Sequence, residues 1–458
     1  MKIINNKIIH GCLLMFAVIA FSACKKLDLQ PRQSIDANTA LSTAADIDAA
    51  AIGCYSIMGG ANLYGENLNF AAELLASSGN CAWVGTFTAQ DEIFRKNMQT
   101  DNGYAGGTWV SAYQAINMAN NVLAAINVVT DPDQKNQLEG EALFVRGTMH
   151  FELVRLYAKQ WDPLTTNSNP GVPIKTSPTK DLEDASEKLS RNTVAEVYQQ
   201  VITDLTAAAA KLPEENPRRA NKYSAIAMLS RVYLQKSDFA KARDAANEVI
   251  QSGLFELSAS VLAPFTNKNT AESIFEIQQN DQNNAGTANN GLTTFYASLI
   301  GIGRGDLRVS TTIYNSYSAA DVRKAQWYYI GVGSHAGALQ CGKWLTFSTN
   351  IPVMRLAEMY LTRAECNLRL GTAVGNTPDG DYNIVRARAG LAASVGVSLD
   401  AILLERRLEL AFEGLRIHDL RRNKLATGSF AWDADELVFP IPQFEINVND
   451  QLVQNPGY

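Results

Sequence analysis

Glu405, Glu409 and Glu413 follow one another at four-residue spacing, which would set three carboxylates on one face of a helix. Paired acids are what glycoside hydrolysis needs, one to protonate the leaving oxygen and one to act as nucleophile or base. The same stretch also supplies Arg406, Arg407 and Arg416, with Arg386 and Arg388 upstream, and buried charges persist when paired. Ion pairing inside a packed scaffold is therefore the expected use of these acids, and Arg355 with Glu358 and Arg363 with Glu365 read the same way. Gly301-Ile302-Gly303-Arg304-Gly305 lacks the Gly-Lys-Ser/Thr ending of a phosphate loop. His10, His150, His335 and His418 are scattered and no Cys-x-x-Cys occurs, so neither a catalytic residue nor a zinc-type metal site is assigned.

Aromatic residues outside the helical segments suggest a different chemistry. A pyranose offers an apolar face of C–H groups beside a rim of hydroxyls, so sugar sites pair a flat ring with short polar side chains. Trp83 with Phe87, Tyr296, Trp327-Tyr328-Tyr329 and Trp344 stand in such segments, with Asn80 before Trp83 and Asn289-Asn290 before Tyr296. Asn80, Trp83, Tyr296, Trp327, Tyr328 and Trp344 are the candidate ligand contacts, at least two of the rings forming a stacking platform. The competing use of each ring is packing beneath a long loop.

The elements that must position these residues are mostly helical. Apolar residues recur at three- and four-residue spacing over 111–127 (Tyr113, Ile116, Leu123, Ile126) and over 142–156 (Ala142, Val145, Met149, Leu153, Leu156), predicting two antiparallel helices separated by Asp131-Pro132-Asp133. Thr193-Val194-Ala195-Glu196 has capping-box spacing and opens a helix that runs to about Leu212, before Pro213. Leu229 to Val249, with Tyr233, Phe239 and Ala242 at the turn, is similar to a tetratricopeptide repeat. A further pair is expected over Val353–Leu370, stopped by Gly371, and Leu399–Glu413. The segments 160–190, 258–350 and 426–458 carry no sustained helical period and read as long loops or short strands, which in a compact protein are usually functional.

Of the 458 residues 46% are apolar and 19% charged, a globular balance that excludes disorder for most of the chain. With 40 Lys and Arg against 46 Asp and Glu, the net charge of -6 gives no basic stripe for nucleic acid. Residues 1–23 read as a signal peptide: Lys2 and Lys7, an apolar run from Leu13 to Phe21 too short to span a bilayer, then Ser22 and Ala23 before Cys24. Phe21-Ser22-Ala23-Cys24 resembles a bacterial lipobox, which makes Cys24 the expected site of lipid attachment and the lipid the expected link to the membrane. Cys54, Cys81, Cys341 and Cys366 then remain, with three possible pairings, of which Cys54 with Cys81 is favoured because Cys366 sits in a helical run.

Several stretches carry a family resemblance. They include Glu141-Ala142-Leu143-Phe144-Val145-Arg146, Leu153-Val154-Arg155-Leu156-Tyr157, Arg355-Leu356-Ala357-Glu358-Met359-Tyr360-Leu361 and Val385-Arg386-Ala387-Arg388-Ala389-Gly390-Leu391. Glu405-Arg406-Arg407-Leu408-Glu409-Leu410, Asp419-Leu420-Arg421-Arg422, Pro440-Ile441-Pro442-Gln443 and Gln454-Asn455-Pro456-Gly457-Tyr458 follow in order. In these the chain resembles the SusD/RagB family of outer-membrane nutrient-binding lipoproteins, collinearly over nearly the whole mature length. The resemblance implies a mainly α fold of tetratricopeptide-like helical pairs, with long irregular loops and few short strands making the ligand-binding face. It divides the body after residue 23 into an N-terminal region (24–215), a repeat pair (216–257) and a C-terminal region (258–458). It further implies a non-enzymatic, lipid-anchored protein of the outer membrane that captures an oligosaccharide or polysaccharide for a SusC-like TonB-dependent transporter. Some members of the family take a peptide, and a glycan hydrolase or a pure repeat scaffold is the remaining alternative. No cofactor is expected, and a structural calcium ion stays open at this level.

Overall fold

The computed structural model describes residues 41–458, so the signal-peptide and Cys24 readings lie outside the described residues. The principal helices in chain order are α1 (Ala44–Met58), α2 (Asn67–Leu75), α3 (Gly103–Ala125), α4 (Pro132–Tyr157), α5 (Val194–Lys211), α6 (Lys222–Gln235), α7 (Phe239–Gln251), α8 (Leu356–Leu370), α9 (Pro378–Arg388), α10 (Leu399–Glu409) and α11 (Arg416–Arg422). Helix α3 packs on α1 and α4, α4 on α5, α5 on α6, α6 on α7, α7 on α8, and α8 on α9 and α10. The result is an array of antiparallel neighbours of the tetratricopeptide kind. None of the described helices is long and apolar enough to cross a membrane.

The caps are those the sequence encodes. Asp131 accepts from the Gln134 amide with Pro132 in the first turn, and Thr193 and Glu196 close a reciprocal box at the start of α5. Asn102, whose side chain accepts from the Tyr104 and Ala105 amides, starts α3 well before the apolar period begins. Helix α4 is buried on every face from Gly140 to Tyr157, which makes it the axis of the core. Gly140 and Gly147 allow α5 that close: a Cβ at Gly140 would lie 2.8 Å from Leu212 Cγ, and one at Gly147 3.1 Å from Asp204 Cβ. Arg146 locks the pair with hydrogen bonds of 2.8 and 2.6 Å to the Asp204 carboxylate.

Two helix boundaries differ from the sequence reading. Val353 belongs to a strand, β6 (Ile351–Arg355), and α8 starts only at Leu356. Helix α10 ends at Glu409, because Phe412 takes φ 63° and Gly414 φ 75°, so Glu413 leaves the face shared by Glu405 and Glu409. The long segments do hold little regular structure: antiparallel pairs β1 (Cys81–Trp83) with β3 (Leu307–Val309), β2 (Ser273–Ile277) with β6, and β4 (Tyr328–Ile330) with β5 (Leu339–Cys341). Cys54, Cys81, Cys341 and Cys366 are buried free thiols, so the expected Cys54–Cys81 bridge is not formed. Cys81 Sγ instead lies 3.6 Å from the Glu73 carbonyl oxygen, and burial raises all four thiols above their ordinary pKa.

Candidate functional site

The acids that could have done hydrolysis are locked in ion pairs. Arg355 reaches Glu272 (2.6 Å), Glu409 (3.0 Å) and Glu413 (2.7 Å), Arg388 bridges Glu272 and Glu409, and Arg323 contacts Glu405 (2.6 Å) and Glu409 (3.0 Å). Lys343 closes the group on Glu413 at 2.7 Å. Burial alone would raise the Glu409 carboxyl, but the cations around it hold it well below the ordinary carboxylate range, so it has no proton to give a leaving group. The hydrolase alternative loses Glu405 and Glu409, which are sealed from solvent and fully committed to arginines.

The six candidate ligand contacts require correction. Asn80, Trp83, Tyr296, Trp327, Tyr328 and Trp344 are between 0% and 6% exposed, leaving no ring face for stacking on a ligand. Trp327 lies under Lys343 and donates from Nε1 to the Val261 carbonyl (2.9 Å), while Trp344 donates to the Phe412 carbonyl (2.9 Å). Tyr296 bonds Asn69, and Tyr328 shares a hydroxyl contact of 2.9 Å with Tyr317. Asn80 Oδ1 accepts two hydrogen bonds from the Arg407 guanidinium (2.9 and 2.6 Å). Burying a large ring under a loop contributes roughly 2–3 kcal/mol, and the loops supply the cover that the repeats do not.

These rings do organise a surface. Phe70 packs on Trp83, Phe295 and Tyr296, and Trp83 on Phe295, with ring centres 5.1 to 5.9 Å apart. Phe87 stands over that layer, 5.9 Å from Phe295, and is only half-buried. The Arg304 guanidinium lies 4.7 Å from the Phe87 ring and is held by Asp306 (2.7 Å), which also contacts His335 Nε2 (3.3 Å). Arg304 is delivered by a tight turn: Gly301, Gly303 and Gly305 all have φ between 65° and 73°, and a Cβ at Gly303 would sit 2.2 Å from the Ala297 carbonyl oxygen.

Beside this cluster runs the exposed loop 280–290, rich in Asn. It is moored where the Gly291 amide donates to Glu66 and where Thr294 Oγ1 donates to the Asn290 carbonyl (2.6 Å). Burial raises the Glu66 carboxyl to about 7, against the pull of Tyr104 and the Gly291 amide. A half-buried ring, a guanidinium held by the buried Asp306 and a fringe of exposed amides can stack on a sugar face and bond its hydroxyls.

Phe87 and Asn290 belonged to the segments that sequence reasoning singled out. Arg304, Asp306 and His335 did not emerge from it, although the three glycines around Arg304 marked a constrained turn within a long polar stretch.

Residues 26–234 match a family described as starch-binding and associating with the outer membrane, and residues 323–437 match the SusD family. A SusD-like protein of Formosa agariphila is 27% identical, covering 96% of this chain and 98% of its own length. The starch-binding protein SusD of Bacteroides thetaiotaomicron is 35% identical over 124 residues, covering 24% of this chain and 22% of its own. The crystal structure of a SusD superfamily protein from the same organism superposes with a TM-score of 0.80 at 28% identity, covering 90% of this chain and all of that one.

Proposed function

The chain belongs to the SusD/RagB family, and from that premise we propose that it is a glycan-binding protein of the outer-membrane surface, with Phe87, Arg304 and loop 280–290 as its ligand face and the buried Asp306 holding Arg304 in place. The observation that carries this reading is the half-buried Phe87 ring beside Arg304 and Asp306, raised on a rigid aromatic layer in a chain similar to a starch-binding protein. The mechanism is recognition: the ring covers the apolar face of a sugar, the guanidinium and the loop amides take its hydroxyls, and no bond is made or broken. Preorganisation by the buried Trp83–Phe295 layer lowers the ordering cost of binding.

The finer parts of the proposal are anchoring and partnership. Cleavage before Cys24 and acylation of its thiol would tether the body, residues 24–458 acting as one unit, at the exterior face. The captured oligosaccharide would pass to a SusC-like TonB-dependent transporter. Native gels cast with single polysaccharides (soluble starch, xylan, laminarin, pectin) test the binding reading, with albumin as control. Retardation of the wild type by one of them, weakened about tenfold in Phe87→Ala, is expected; equal retardation of wild type and variant overturns the assignment of the face. Co-purification of a large barrel protein from detergent-solubilised outer membrane is expected of the partnership, and isolation as a free monomer counts against it.

A further inference from the structure

Away from the ligand face, two joined concavities of about 360 and 260 Å³ run along the outer edge of β2. Pro217, Arg218, Arg219, Glu276 and Gln278 line both, so the two form one groove. One end is walled by Phe255, the other by Ile52 and Tyr55 of α1 and by Asn283. Asn283 is part of loop 280–290, so the groove opens where the proposed ligand face begins.

Two groups in the groove are left without partners. Glu276 is 5% exposed; its Oε2 accepts from the Asn269 amide (2.9 Å) and from Asn350 Nδ2 (2.7 Å), while its Oε1 has no donor among the described residues. A buried carboxylate oxygen with no donor is costly, and a ligand hydroxyl would satisfy it. Arg218 is exposed, forms no ion pair with a described residue and takes φ 69°, a left-handed conformation that a residue with a Cβ adopts at a cost. Its neighbour Arg219 is by contrast committed to Asp48 (2.7 Å) and Glu141 (3.4 Å).

Amide side chains also stand in the wall. Asn269 and Gln278 bond each other reciprocally, at 3.2 and 2.8 Å, which fixes the direction in which each presents its remaining donor or acceptor. Half-buried rings, Phe255 and Tyr55, stand at the two ends. An unsatisfied carboxylate oxygen, an unpaired guanidinium and fixed amides along an elongated groove fit a chain of vicinal hydroxyls, with the end rings available to sugar faces.

We infer that this groove is an extension of the ligand face that holds a further stretch of the same polyhydroxylated chain, so that affinity rises with chain length. The inference rests on the glycan-binding reading above, and its test separates the two. Hydrogen–deuterium exchange is measured on the full-length chain in detergent, alone and with each of soluble starch, xylan, laminarin and pectin. Protection of 214–221 and 269–278 together with 84–87 and 280–290 by one polysaccharide is expected. Protection confined to 84–87 and 280–290 overturns the groove and leaves the binding function standing. Protection confined to the groove segments supports the groove and overturns the assignment of the ligand face. Absence of protection with all four overturns both.

Glu276→Gln keeps the shape of the side chain, and Arg218→Gly relieves the positive φ, so both variants should fold. Each is expected to weaken retention of the protecting polysaccharide about tenfold while leaving affinity for a disaccharide of the same sugar unchanged. Unchanged retention in both variants overturns the inference.

Discussion

The region around Arg355 and the region around Phe87 both combine arginines, carboxylates and aromatic rings, and use them in opposite ways. Around Arg355 every charge is buried and matched: Glu272, Glu409 and Glu413 surround the guanidinium, and Lys343 lies 3.7 Å from the centre of the Trp327 ring. Around Phe87 the carboxylate of Asp306 is buried but the ring and the Arg304 guanidinium across it are only half-buried, and loop 280–290 carries exposed amides. Motifs dense in charge thus mark the scaffold here, whereas the proposed ligand face is built from irregular loops of low charge. A charge in the first region has nowhere to go if its partner is lost, while one in the second returns to water.

The largest effect should follow from breaking the first region. Glu409→Ala leaves Arg323, Arg355 and Arg388 short of a partner and should destabilise the fold by about 3–5 kcal/mol in urea unfolding; a change below about 1 kcal/mol would remove the distinction between the regions. Trp327→Ala should cost about 3–5 kcal/mol as well, by cavity formation. Glycan retention by whatever fraction folds should stay intact, because Trp327 is core and not platform.

Glu66, which moors the loop face, gives the comparison a pH dependence. Its folded-state pKa of about 7 lies above the ordinary value of 4.5, and for an acid this sign means that the unfolded chain ionises first as pH rises. The stability that protonated Glu66 allows is present below pH 4.5 and is lost as pH rises towards 7. Glu66→Gln should therefore match wild type near pH 4.5 and exceed it by about 1–3 kcal/mol at pH 8; a constant difference across that range would count against the assignment.

Phe87→Ala in the second region should cost only about 1–2 kcal/mol in unfolding, less than Trp327→Ala, and weaken glycan retention about tenfold, roughly 1.4 kcal/mol. Thr193→Ala, at a helix cap remote from both regions, should cost about 1 kcal/mol with no effect on retention. A loss of retention there would show that the loop face is coupled to the repeat array.

Much of the fold was legible because helices are written locally. The Thr193–Glu196 box, the Asp131-Pro132 start and the Gly371 stop each act within four residues of where they stand. The ends of α8 and α10 were misplaced for a reason of longer range. Strand β6 exists only because β2, some 80 positions earlier, pairs with it, and the turn after Glu409 is fixed where Gly414 donates to Glu73 (3.0 Å).

The aromatic residues show where sequence reasoning stops. Composition and spacing placed Trp83, Tyr296, Trp327 and Trp344 outside the repeats, which is correct, but whether such a ring faces water depends on what arrives from elsewhere in the chain. Trp83 is covered by Phe295, Trp344 by Phe265 and the Phe412 carbonyl, and the Asn80 side chain is taken by Arg407. The sequence by itself determined the helical array, its caps and the family, because these rest on patterns within short windows; it also marked the Glu405–Glu409 acids as ion-paired, although Arg323 and Arg355, two of the arginines that hold Glu409, come from 86 and 54 residues away. Only the tertiary structure decided which rings are buried, that Phe87 and Arg304 meet at the surface, and that Glu276 and Arg218 share a groove. Those facts depend on segments more than 200 residues apart closing over one another, and burial is a property of that closure.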